Sequence, residues 1–368
     1  MDPQSFLDGL TPIGRRLIDI ANTLSEQYPR FIPARDILKE FAFQQLNFND
    51  SRFEMACENL DEGVSPIESC PPESLEYIYR TLLSLGQTWK MRYPFFDLYG
   101  PVGDIHDDEP SGPGGVEVRL SKFSNIIFPA GAPPLLPVSL LNGIHIPGRG
   151  YLPPHQIDEL WMAFEEIRQN PGVKLEDLME IIPGPDFASG SVAGSPDMIH
   201  DLYEAGTGSL MLRATIETLI EGPRTKLAIR SMPPRVLVKD IMEQIREIIQ
   251  KGLIVYELKD RTEGNRIEIL LDVPRRWTVN DLKNILFKET DLEKETEFFI
   301  PTPSEKPGSG FIHSIRWAVE KCSSAWEFKG GASSKKTTPF LRDILKYGGY
   351  KSPLYDLSDD RRTRLLDF

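Results

Sequence analysis

The sequence predicts an α+β chain of more than one domain. Apolar residues recur at helical spacing through the first 90 residues, and short strand-like runs bounded by Gly, Pro and Asp follow them. The 368 residues, 40% hydrophobic and 26% charged, suffice for two or three cores. No run approaches the roughly 18 apolar residues of a membrane span, and the opening MDPQSFLDGL lacks the order of a signal peptide. A cytoplasmic protein without a membrane partner is expected. Cys57, Cys70 and Cys322 are odd in number and far apart, with no CxxC pair, so inert reduced thiols are expected rather than a disulfide or zinc site.

In DGLTPIGRRLIDIANTLSEQY, Thr11 caps a helix and Pro12 takes its first position. Ile13, Leu17, Ile20, Ala21 and Leu24 form its apolar stripe, which leaves Arg15 and Arg16 pointing outward. Similar patterns predict helices over 33–46, 50–61 and 73–89, and MRYPFFDLYG and VEVRLSKF then read as extended. Short helices followed by short strands suggest a winged helix-turn-helix module over residues 1–154.

From residue 155 the pattern changes. PPHQIDELWMAFEEIRQNPG is a helix with a Pro-Gly stop, followed by a short helix at 174–182 and a helix ending at Gly206. Two strand-like runs, SLMLRATIETL and TKLAIRSMP, precede a long helix at 235–251, a strand RIEILLDV and a helix from Thr278. These make residues 155–300 an α+β domain. Residues 301–368 read as a C-terminal linker and helical segment, with flexible PTPSEKPGSG and KGGASSKKTTP.

The net charge of −13 divides unevenly. Residues 301–368 hold 12 Lys and Arg against 8 Asp and Glu, which is +4, so residues 1–300 carry −17. Such a body disfavours a simple nucleic-acid binder, although clustered Lys and Arg can still make a local basic groove. Familiar catalytic motifs are missing: no G-x-x-x-x-G-K-[ST] loop, no G-x-S-x-G elbow and no H-E-x-x-H helix. His155 reads as a capping or packing residue, and GDIHDDEP as an acidic surface loop.

Several segments carry more than composition does. DGLTPIGRRL, WKMRYPFFDLYGPVGD, EVRLSKF, LLNGIHIPGRGYLPPH, EDLMEIIPGPDFASG and YEAGTGSLMLRA follow one another between residues 8 and 214. In that order and wording the chain resembles the breakage-reunion domain of type IIA topoisomerases, the A subunits of DNA gyrase and bacterial topoisomerase IV. The resemblance runs over roughly residues 8–300.

It implies a winged-helix domain followed by a tower-like α+β domain, in a homodimer that grips duplex DNA near the nucleoid. A topoisomerase B-type subunit or another complex partner would supply magnesium and ATP, so no cofactor is expected in this chain. In the family an Arg-Tyr pair stands two residues before the Glu matched by Glu117, and its tyrosine attacks DNA. Here Gly114 falls on the arginine, Gly115 on the tyrosine and Val116 on a small polar residue. No tyrosine lies between Tyr99 and Tyr151 to repair this, and the Arg92-Tyr93 pair matches a separate family segment. The family's Gly-Lys-Tyr-His segment is unrecognisable in residues 45–70, and a truncated C-terminal gate is expected.

The resemblance assigns DNA contacts to Arg15, Arg16, Arg119, Lys122 and Arg149, and an intercalating wedge to Ile144 behind Gly143. A phosphate cradle at Gly114 and Gly115 is disfavoured, because VEVRLSKF reads as extended where a helix N-terminus is needed. The function expected is duplex DNA binding, with bending and without cleavage. A protein-interaction module that keeps the fold is the alternative. Third is an active type II topoisomerase subunit that takes its nucleophile from another chain.

Overall fold

A computed structural model describes the chain between residues 7 and 328, apart from 28–29, 64–69, 72–73, 107, 129–133, 147–149, 188–190, 193, 222–223, 235, 253–256, 264–265, 275–276 and 302–309. The described residues form a mixed α+β structure with three sheets. The helix Pro12–Ser25 starts where the sequence places it: the Thr11 hydroxyl accepts from the Gly14 amide at 3.1 Å, and Leu17, Ile20 and Ala21 are buried. The helices Ala34–Gln45, Asp50–Glu62 and Leu75–Ser84 complete the N-terminal group.

These helices pack with a three-stranded antiparallel sheet of Ile32–Pro33, Glu117–Leu120 and Phe96–Tyr99, in that order. VEVRLSKF is only half extended. The strand stops at Leu120, and Ser121 caps a short helix, Lys122–Ile127, by accepting from the Ser124 amide at 3.1 Å. That capping serine is what overrides the strand pattern.

A five-stranded sheet runs Ile144–Ile146, Gly150–Leu152, Glu293–Phe299, Thr207–Arg213, Ser191–Val192. Glu293–Phe299 is parallel to Gly150–Leu152 and antiparallel to Thr207–Arg213, from Glu293 opposite Arg213 to Phe299 opposite Thr207. The third sheet, four-stranded, runs Leu258–Asp260, Ile269–Asp272, Arg224–Ile229, Ile216–Glu221.

Among the described residues, buried side chains form two clusters. The larger runs from Leu7 to Leu212 without a break at residue 155, and resumes with Phe298, Ile300 and residues of the Gly310–Phe328 helix. Phe311, Ile315, Ala318, Val319 and Cys322 anchor that helix, so it docks on the larger core. The smaller cluster draws on residues 214–292, plus Ile105. Its helix Val238–Gln250 buries Val238, Ile241, Met242, Ile245 and Ile248, about 2 kcal/mol each by apolar area. Thr278 and Asp281 form a capping box for the helix Val279–Glu289. Among the described residues no helix is long and apolar enough to cross a membrane, and Cys57, Cys70 and Cys322 are buried.

Candidate nucleic-acid interface

The three-stranded sheet sets the region up. In Glu117–Leu120, Val118 and Leu120 face the core while Glu117 and Arg119 face out. Register places Asp97 opposite Arg119 and Tyr99 opposite Glu117. Arg119 donates to the Asp97 carboxylate, Nη2 to Oδ2 2.6 Å, and its guanidinium lies 4.7 Å from the centre of the Phe31 ring. Phe31 in turn lies 6.1 Å from the Tyr99 ring, and Tyr99 is 67% exposed. This outward cluster of aromatics and an arginine was not foreseen, because its members are strangers in sequence until strand register brings them together.

The glycines at 112–115 form a tight turn. Pro113–Gly115 is a single 3₁₀ turn in which the Gly115 amide donates to the Gly112 carbonyl at 3.0 Å. Its neighbours require small residues: a Cβ on Gly112 would lie 2.7 Å from Asp61 Cα, and one on Gly100, at φ +111°, would lie 2.3 Å from the Gly115 oxygen. Tyr79 secures the run by donating its hydroxyl to the Ser111 carbonyl at 2.7 Å. Gly114 itself is unconfined, with nothing nearer to its Cβ position than 3.9 Å. A helix N-terminus does follow this loop, but the strand Glu117–Leu120 lies between the two.

The other candidate residues occupy varied settings. Arg15 is turned inward rather than outward, with Nε donating to the buried Asp8 carboxylate at 2.6 Å. Arg16 is half-buried and donates to Gln44. Lys122 is exposed at the first position of its short helix. Arg149 lies outside the described residues. Ile144 begins a hairpin strand, paired with Leu152, and Gly143 at φ +68° makes the bend in front of it. A Cβ on Gly143 would lie 2.8 Å from the Leu152 oxygen, so hairpin closure already explains this glycine. Among the described residues His200, Asp201 and Glu204 bring ligand atoms within 4.8 Å of one another, on a face where both carboxylates are exposed.

Behind this region lies a buried polar joint. Arg92 and Asp186, with side chains 4% and 16% exposed, meet at 2.7 Å. Asn142 brackets Tyr93, accepting from its amide at 2.7 Å and donating to its carbonyl at 2.9 Å, while the Tyr93 hydroxyl accepts from the Ile157 amide. His155 is fully buried, with Nδ1 3.1 Å from the Leu140 carbonyl and Nε2 2.8 Å from the Tyr203 hydroxyl. A carbonyl can only accept, so Nδ1 carries the proton and Tyr203 donates to Nε2. Burial lowers the imidazole to about 4, keeping it neutral. Phe311 stacks on Tyr203 at 4.2 Å and on His155 at 4.8 Å.

The joint unites RYP, LLNG, LPPH, PGPDF and YEAGTG, and all of these but RYP fall within a stretch that resembles known proteins. Residues 128–302 match the family model that describes the A subunits of DNA gyrase and topoisomerase IV. The chain contains a type IIA topoisomerase A-subunit-like domain. It is 26% identical over 309 residues to the DNA gyrase A subunit of Chlamydia muridarum, covering 76% of this chain and 36% of that protein. The DNA topoisomerase 4 A subunit of Bacillus subtilis is 25% identical over 313 residues, 78% of this chain and 36% of its own length. The DNA gyrase A subunit of Streptococcus pneumoniae is 29% identical over 255 residues, 62% and 31% respectively. The chain thus spans about a third of the length of these relatives. Most of the joint of the A-subunit-like domain lies inside the family match, whereas the glycine turn at 112–115 lies before it.

Proposed function

We propose that this A-subunit-like module binds duplex DNA and does not cleave it. One observation carries the reading: the turn Pro113–Gly115, on which the resemblance places the Arg-Tyr pair, holds no side-chain nucleophile. Glycine has no atom to bring in line with a phosphate. The phenols of Tyr79 and Tyr93 are committed to hydrogen bonds, and burial raises both above the ordinary tyrosine range.

A winged-helix arrangement of the N-terminal helices and sheet would place Arg119 and Lys122 against phosphates, with Ile144 beside them; the resemblance adds Arg149 to these contacts. Arg15 and Arg16 would contribute only by relaxing their contacts with Asp8 and Gln44. Magnesium and ATP would be handled by a topoisomerase B-type partner, with the chain itself homodimeric and cytoplasmic, close to the nucleoid.

The test is titration of a labelled duplex at two salt concentrations. Affinity should fall steeply with salt, and Arg119→Ala with Lys122→Ala should flatten that dependence by roughly two phosphate contacts. Ile144→Ala should abolish duplex bending, read by energy transfer between end dyes, while most affinity remains. Binding that ignores salt, or no binding, would favour the interaction-module reading, which the charge of −17 over residues 1–300 supports. Detergent trapping with plasmid, magnesium, ATP and a B-type partner should yield no protein-linked breaks. Breaks that vanish in Tyr99→Phe would assign the nucleophile to the exposed phenol on the neighbouring strand.

A further inference from the structure

We propose that Asp104, His106 and Asp260 form a proton-dependent latch between the two hydrophobic cores. The loop after Phe96–Tyr99 crosses from the larger core to the smaller one, where Ile105, 5% exposed, is buried. Its neighbour His106 is held at both ring nitrogens: Nδ1 lies 3.1 Å from Asp104 and Nε2 lies 2.9 Å from Asp260, which ends the strand Leu258–Asp260. Backbone amides fix both carboxylates in turn. Asp104 Oδ1 accepts from the amides of His106 and Asp108, and Asp260 Oδ1 accepts from the amide of Thr262 at 2.8 Å.

This geometry suits one protonation state. An imidazolium offers two N–H donors, one for each carboxylate, whereas a neutral imidazole offers one and turns a lone pair toward the other. Losing the proton therefore replaces a charge-assisted bond with a repulsive contact at one end of the latch. The charges acting on the ring are Asp260, on the strand packed against it, and Asp104, on its own loop. Partial burial opposes the charged form, but the hydrogen bonds to these two carboxylates outweigh it and raise the imidazole above its ordinary value. The sign follows: the latch is closed below the ordinary histidine range and loosens as pH rises through the raised value. Loosening frees the smaller core to swing relative to the larger.

The proposal is independent of DNA and is tested without it. The native cysteines are buried, so Met55→Cys and Ile220→Cys, at positions 65% and 81% exposed on the larger and smaller units, accept a donor and an acceptor dye. Single-molecule energy transfer on the full chain is then followed from about pH 6 to about pH 9, above the range where His155 titrates. The spread of inter-dye distances is expected to widen roughly twofold in the wild type. His106→Gln should show the wide distribution throughout, and the near-isosteric Asp260→Asn should lose most of the pH response. A wild-type spread that ignores pH, or a wild-type response retained in either variant, overturns the latch.

Discussion

The joint around His155 and the turn around Gly114 lean on the same larger core, but their side chains serve different ends. At the joint, polar groups are taken out of water and matched one to one: Arg92 with Asp186, Asn142 with the Tyr93 backbone, His155 with Leu140 and Tyr203. At the turn the shape is kept by glycines and backbone, and no functional group faces out from 113 to 115. Of these two regions, the one that lies mostly inside the family match is thus the one that assembles the domain. A match over a region of that kind is strong evidence of fold and weak evidence of chemistry.

This contrast can be broken by mutation. Asp186→Ala should cost the most, about 3–5 kcal/mol in urea denaturation, because it takes the carboxylate away from a buried guanidinium. Loss of less than about 1 kcal/mol would mean that the joint is not what holds the domain.

Next comes acid. The folded imidazole of His155 is lowered to about 4, so its contribution is intact above the ordinary histidine value and drains away as pH falls toward 4, by roughly 3 kcal/mol in all. Denaturation midpoints between those values should slope with pH in the wild type and much less in His155→Gln.

The turn should respond by position. Gly112→Ala, whose Cβ would press on Asp61 Cα at 2.7 Å, should lose about 1–3 kcal/mol, while Gly114→Ala should stay within about 0.5 kcal/mol. Thermal melts of the two variants sharpen the claim that the turn's shape, not each glycine, is what is kept. Arg119→Ala should also be mild. Its pair with Asp97 is 53% and 38% exposed, so stability should change by under about 1 kcal/mol even where DNA affinity falls.

Sequence revealed what is local. Thr11 with Pro12 and Thr278 announce helix starts because a cap acts within one turn, and Gly206 at φ +73° ends its helix as EAGTG suggests. The same rule, applied to Ser121, would have found the short helix hidden in VEVRLSKF. The apolar stripe of its helix predicts an outward Arg15, but Asp8, seven residues earlier, folds back to meet it. Asp97, Phe31 and Tyr99 gather around Arg119 only through register, and His106 meets Asp260 across 154 positions. Pairings at such distances leave no periodic trace.

The route of the chain through its five-stranded sheet has a further consequence. It leaves the larger core at Arg213 and returns at Glu293, and those two residues are paired side by side and joined by an ion pair. Everything between them is an excursion of about 80 positions whose two ends already touch. Closing a loop of that length costs an unfolded chain roughly 4 kcal/mol of entropy before any strand contact forms. If the excursion folds on itself first, its ends arrive together and the strands Thr207–Arg213 and Glu293–Phe299 meet almost as a hairpin. The order of events during synthesis favours that route, since residues 214–292 emerge before the strand that must seal the sheet.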